Sequence, residues 1–284
     1  MVREFKLINE KGQEFSLMDI KNYVLLTDPD GLGYGYDNEY LQIEDDFVLI
    51  SHKLSQGEFN GTVNALKYDN LRNLANFIES SEKIRLSYTI PYESGTKTFL
   101  RDSVLATLDK TQKQTNGVLS EPISFQFTSL WYSEDVTTYG ATEEDEMRWD
   151  YRWDARYVDF NLRNLAYDNK GHTEAPVLIE IDGPVVNPSI SLYVNREEVT
   201  TITFTVTLLQ DEKLLYSTKT GDLYIYKQEA DGDLINLFSE TYGIDLTNDN
   251  IIMLPKGVSE IILSAGEGTI TSAQITIYPQ YKFV

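Results

Sequence analysis

Glycines 31, 33 and 35, in the stretch DGLGYGY, are of a type that can cradle a phosphate with backbone N–H groups. Their spacing is G-x-G-x-G rather than G-x-G-x-x-G, and no helical pattern follows, so a glycine-rich loop with turn chemistry is the better account. Asp28 and Asp30 precede Gly31 as calcium-loop acids would, but Leu32 stands where an oxygen ligand is needed. His52 and His172 are the only histidines, and they fall in different predicted domains, which removes a histidine-pair metal site. Neither lies near a G-x-S-x-G motif, although Ser, Asp and Glu are plentiful enough to complete a triad. Paired acids at Asp45–Asp46 and Glu143–Glu146 could mimic glycosidase carboxylates. In a chain with 45 acidic residues, a solvated face or a linker is the default.

The segment RWDYRWDARYVDF (148–160) packs Trp149, Tyr151, Trp153, Tyr157 and Phe160 between charges. Such rings could stack on sugars. The preferred reading docks them against the adjoining domain or a neighbouring subunit, because Trp and Tyr are favoured at interfaces. Trp149, Tyr151, Trp153 and Tyr157 are therefore the candidate interface or glycan-facing residues. No catalytic, cofactor-binding or metal-binding residue is assigned, and no cofactor is expected.

These residues need elements to position them. The clearest is YDNLRNLANFIESSEKIRLSY (68–88). Tyr68, Leu71, Leu74, Ala75 and Ile78 recur at helical spacing with Phe77 beside them, and polar residues lie between. Ser80–Ser81 ends the helix. The period then switches to two, with Ile84, Leu86, Tyr88 and Ile90 alternating against polar neighbours as in a half-buried strand. A helix this short is marginal alone, so it should lie on a sheet as the one helix of a β core. Around it, strands are expected over residues 1–10 and near Tyr23–Thr27, Phe47–His52, Phe99–Leu108 and Leu119–Trp131, with Asp28–Tyr40 as a loop and Gly57–Ala65 leading into the helix.

Ser133–Glu146 is polar and ends in acids, which reads as an inter-domain linker. Beyond it, Val177/Ile179/Ile181, Ile190/Leu192/Val194, Ile202/Phe204/Val206, Leu223/Ile225, Ile261/Leu263 and Ile275/Ile277 alternate, with turn signals about every ten residues, the signature of a sandwich. Asp233–Thr241 could be a short helix or a loop. The fold class is mainly β in two domains: an N-terminal barrel-like α+β module with one helix (1–135), an acidic linker (136–147) and a C-terminal β-sandwich (148–284).

The 284 residues carry a net charge of -21 and no cysteine. Binding to phosphate backbones needs a basic surface, so nucleic-acid recognition is not expected. Disulfides and thiolate zinc sites are excluded. No apolar run approaches the ~18 residues of a membrane span. No secretory h-region precedes the first strand, so the expectation is a protein made in a reducing cytoplasm.

Taken in order, YVLLTDPDGLG (23–33), KYDNLRNLANFIESSEKIRLSY (67–88), FLRDSVLATLDKTQ (99–112), LSEPISFQFTSLWY (119–132), APVLIEIDGPVVNPSISLY (175–193), LPKGVSEIILSAG (254–266) and the terminal YPQYKFV resemble the distal tail protein (Dit) family of long non-contractile-tailed phages and prophages. The resemblance implies a homohexameric ring at the virion tail tip, possible pairing of rings, and a channel for DNA. It implies a galectin-like sandwich projecting outward and no enzyme activity. It also implies a hub joining the tail tube protein to the tail-tip protein and receptor-binding proteins. In such a ring Arg72, Asn73 and Asn76 should face the lumen or a neighbour. The alternative is a carbohydrate-binding module that engages host cell-wall glycan through the sandwich.

Overall fold

The computed structural model describes residues 3–19, 23–92, 95–111, 114–115, 117–140, 163–238, 241–242 and 251–284. The chain divides into two compact units, 1–133 with 281–284 and 134–280.

The first unit contains β1 (Glu4–Asn9), β2 (Glu14–Ser16), β3 (Val24–Asp30), β4 (Tyr36–Ile43), β5 (Asp46–Leu54), β6 (Glu58–Ala65), α1 (Tyr68–Glu79), β7 (Ile84–Tyr92), β8 (Gly95–Leu108), β9 (Gln114–Thr115), β10 (Val118–Phe127) and β11 (Trp131–Tyr132). Its main sheet runs β2-β1-β7-β8-β10-β6-β3. Alternation decides which faces are inward: Phe5, Leu7 and Asn9 of β1 are buried, opposite Tyr88, Leu86 and Ile84. The sheet does not close into a barrel. It curls until the Leu26 amide donates to the Leu17 carbonyl at 2.8 Å, drawing its two edges together.

The helix α1 covers the inside of that curl. Leu71, Leu74 and Ile78 are buried in one cluster with Phe59, Val63, Leu86 and Phe125 from the sheet. Each buried side chain contributes roughly 1.5–3 kcal/mol as an upper figure. Tyr68 departs from the expected apolar stripe. It is exposed in the first turn, where its hydroxyl accepts from Lys110 Nζ at 2.9 Å. Ser80 caps the C-terminus, its amide donating to the Asn76 carbonyl.

The second unit contains β12 (Asp135–Gly140), β13 (Arg163–Asn169), β14 (Ala175–Asp182), β15 (Val185–Val194), β16 (Glu197–Phe204), β17 (Thr207–Leu208), β18 (Lys213–Lys219), β19 (Asp222–Gln228), β20 (Leu234–Asn236), β21 (Thr241–Tyr242), β22 (Met253–Leu254), β23 (Gly257–Glu267) and β24 (Ser272–Ile277). One sheet runs β12-β24-β14-β18-β19-β20 and the other β13-β23-β15-β16-β21. Val177, Ile179, Ile181, Tyr216 and Ile275 of the first sheet share a core with Ile190, Leu192, Ile202, Phe204 and Ile261 of the second. That is the sandwich expected from the alternation.

Several expectations are corrected. Asp28–Asp30 continue β3, and Tyr36–Tyr40 belong to β4, so the glycine-rich loop shrinks to the residues between these strands. Asp135–Gly140, inside the stretch read as a linker, is a strand paired to β24; its run of β-branched Val136, Thr137 and Thr138 favours extended chain despite its polarity. Leu234–Asn236 pairs with β19 and is neither helix nor loop. The final residues 281–284 belong to the first unit rather than to the sandwich, with Tyr281 set edge-on to Phe99 at 5.3 Å.

Candidate assembly surface

Strands β4 and β5 pair only with each other and form a separate two-stranded ribbon. Glu44 and Asp45 turn the chain between them, with Glu44 at φ 55 and its carbonyl accepting from Gln42 Nε2 at 3.0 Å. Pairing is Tyr40 to Leu49, Leu41 to Val48 and Gln42 to Phe47, and a bulge leaves Ile50 unmatched. Opposed residues share a face, and successive pairs alternate faces. One face of the ribbon therefore carries Tyr40, Leu49 and Phe47, and the other carries Leu41, Val48 and Ile43. All six are exposed, Phe47 at 67%, and Ile50 is exposed at 64%. A water-facing ribbon would be polar on at least one side. A two-stranded hairpin is also marginal on its own. This arm has the composition of a buried element, and no other described element packs over it.

The arm's base is firmly held. Tyr36 stacks on His52 at 3.9 Å between centroids, and its hydroxyl accepts from Lys282 Nζ at 2.9 Å. His52 Nδ1 lies 2.6 Å from Asn38 Oδ1. One of the two histidines thus has a structural place in the arm. His172 lies in the second unit, its amide donating to the Gln280 carbonyl at 2.6 Å. Gly31 has φ +84, and a Cβ there would sit 1.7 Å from the Glu58 carbonyl oxygen. The glycine therefore serves close backbone approach where the arm leaves the sheet. Among the described residues no group of three or more His, Cys, Asp or Glu is placed to hold a metal ion.

A second exposed apolar surface lies on the body of the same unit. β3 is the edge of the sheet; Leu25 within it, Tyr23 just before it, and Leu66 and Tyr68 in the segment after β6 are all exposed. The Leu66 amide donates to the Tyr23 carbonyl at 3.3 Å. Lys67, Arg72 and Lys110 are exposed around this corner, with Lys110 Nζ 4.8 Å over the Tyr68 ring. Asp69, Asp109 and Glu121, whose carboxylate acts on Lys110, lie there as well.

The four aromatics singled out in the sequence, Trp149, Tyr151, Trp153 and Tyr157, lie outside the described residues. The arm was missed because Tyr36–Tyr40 read as loop and Phe47–His52 as an ordinary strand. The available signal was YLQI and FVLI flanking Glu44–Asp46, two apolar runs around a short acidic turn.

Residues 4–128 match the family model described as the distal tail protein, N-terminal domain. That match lies within the first unit. Solved structures agree in fold across both units. A chain of the phage P2 baseplate in its activated conformation with calcium aligns with TM-score 0.67 and 18% identity, covering 100% of each chain. The same baseplate with strontium gives the same values. The Dit protein of SPP1, described as a paradigm of hub adsorption apparatus in phages infecting Gram-positive hosts, aligns with TM-score 0.55 and 13% identity over 96% of this chain and 98% of that one. No curated protein sequence matches.

Proposed function

We propose that this protein is a structural hub of the phage tail tip, a ring of six copies that joins the tail tube to the tip and receptor-binding proteins and lets DNA pass. Its role is assembly, not catalysis. The observation that carries this reading is the arm of β4 and β5, apolar on both faces and exposed among the described residues. Ring closure needs a heterologous interface, meaning two unlike surfaces on each copy. The protruding arm supplies one and the corner at Tyr23, Leu25, Leu66 and Tyr68 supplies the other. The arm's tip carries Glu44, Asp45 and Asp46, which complement Lys67, Arg72 and Lys110 beside the corner. Exposed Arg72, Asn73 and Asn76 on α1 then face a neighbour or the lumen. A net charge of -21 per copy suits a conduit to which DNA does not adhere.

Phe47→Cys combined with Tyr23→Cys tests the interface, because the parent chain has no cysteine. Mild oxidation should give a ladder of covalent oligomers ending at a closed species. Cross-linking no greater than for either single variant removes this pairing of surfaces.

A further inference from the structure

Arg101, in β8, is 4% exposed, yet no carboxylate among the described residues contributes to its environment. Its guanidinium carbon lies 3.8 Å over the Phe127 ring and 5.5 Å from that of Trp131. Nε donates to the Ser129 carbonyl at 2.8 Å, and Nη1 is buried with no partner. Burial lowers its pKa to about 10, so it stays charged at neutral pH. A buried cation held this way is a poor device for stability, since an apolar side chain of similar volume often does as well or better.

The groups it stacks on lead to the arm. Phe127 N donates to the Gly57 carbonyl at 2.9 Å, and Gln56 Nε2 donates to the Phe127 carbonyl at 3.2 Å, so Phe127 grips the returning root from both sides. Trp131 Nε1 donates to the Leu32 carbonyl at 3.1 Å, which grips the outgoing root. Arg101 fills the space between: a Cβ on Gly57 would lie 2.7 Å from Nη2 and 3.0 Å from the Phe127 ring.

We infer that Arg101 is a positioning residue for the arm, a charged wedge that locks Phe127 and Trp131 onto the two roots and so fixes the direction in which the ribbon projects. Cation–π attraction holds the two rings in fixed relation to the guanidinium. These contacts hold both roots to the sheet, beside the Lys282–Tyr36 bond at the arm's base, so a small shift at Arg101 is amplified along a ribbon roughly 30 Å long. The consequence for assembly rests on the proposed ring, but the clamp itself does not.

Spin labels on Glu44→Cys at the arm's tip and Glu79→Cys at the end of α1 read that direction as a distance, measured in dilute, monomeric protein. The parent gives one narrow distance. Arg101→Met loses it to a broad distribution while urea unfolding of the unit is unchanged or shifted upward. A merely structural residue would move the unfolding and leave the distance narrow, and that outcome overturns the inference. Should Arg101→Met fail to fold, Trp131→Phe removes the bond to Leu32 and keeps an aromatic ring beside the guanidinium. It must broaden the distance in the same way, and an unchanged width overturns the clamp. A parent that never oligomerises sinks the ring and leaves this measurement standing.

Discussion

Glu212 shows what a single carboxylate does in the sandwich. Buried at 7% exposure, it accepts from the Leu209 amide at 2.6 Å and from Lys227 Nζ at 2.9 Å. These bonds, the backbone one foremost, hold its pKa below the ordinary 4.5. A carboxylate with a depressed folded-state pKa adds stability above its unfolded value, and that stability is lost as pH falls through the folded value. Unfolding of the second unit in urea should therefore weaken as pH drops below about 4.5, and Glu212→Gln should flatten that dependence. A pH profile identical in the variant would remove Glu212 from the account. Such a site was not legible in the sequence. One Glu among 45 acids becomes distinctive only when a tight turn aims a backbone amide at it. Gly31 was legible as a turn glycine. Its actual reason, the Glu58 carbonyl pressed against it, comes from long-range pairing of β3 and β6.

The helix and the arm divide what could be read at the scale of elements. α1 was legible because its stripe of Leu71, Leu74 and Ile78 has helical spacing and its cover, the curled sheet, lies in the same chain. The sandwich strands were legible because one face of each is buried and the other wet, which is what produces alternation. The arm was not, because a ribbon with apolar residues on both faces does not alternate. Its apolar residues are predicted to be dispensable for the fold and essential for assembly. Phe47→Ser with Leu49→Ser should leave urea unfolding within about 0.5 kcal/mol of the parent, as exposed substitutions do. Sedimentation should show the loss of oligomers. Lost stability with oligomers retained would mean that the arm serves its own chain.

The whole molecule combines two independently cored units with a chain that begins and ends in the first of them. That the last four residues return to the first unit was hidden, since YKFV carries no pattern that names its partner. The wider layout, a β module with one helix followed by a sandwich, was legible from turn spacing and the single helical stretch. Neither surface of the proposed ring is costly to leave exposed on its own. In the proposed ring, the net charge of -21 opposes indiscriminate association while the two surfaces supply adhesion at defined places. The most direct test is native mass spectrometry over a rising concentration series, with and without tail tube ends as template. The ring predicts a dominant closed species at six times the 32.5 kDa chain. A monomer under every one of these conditions contradicts it.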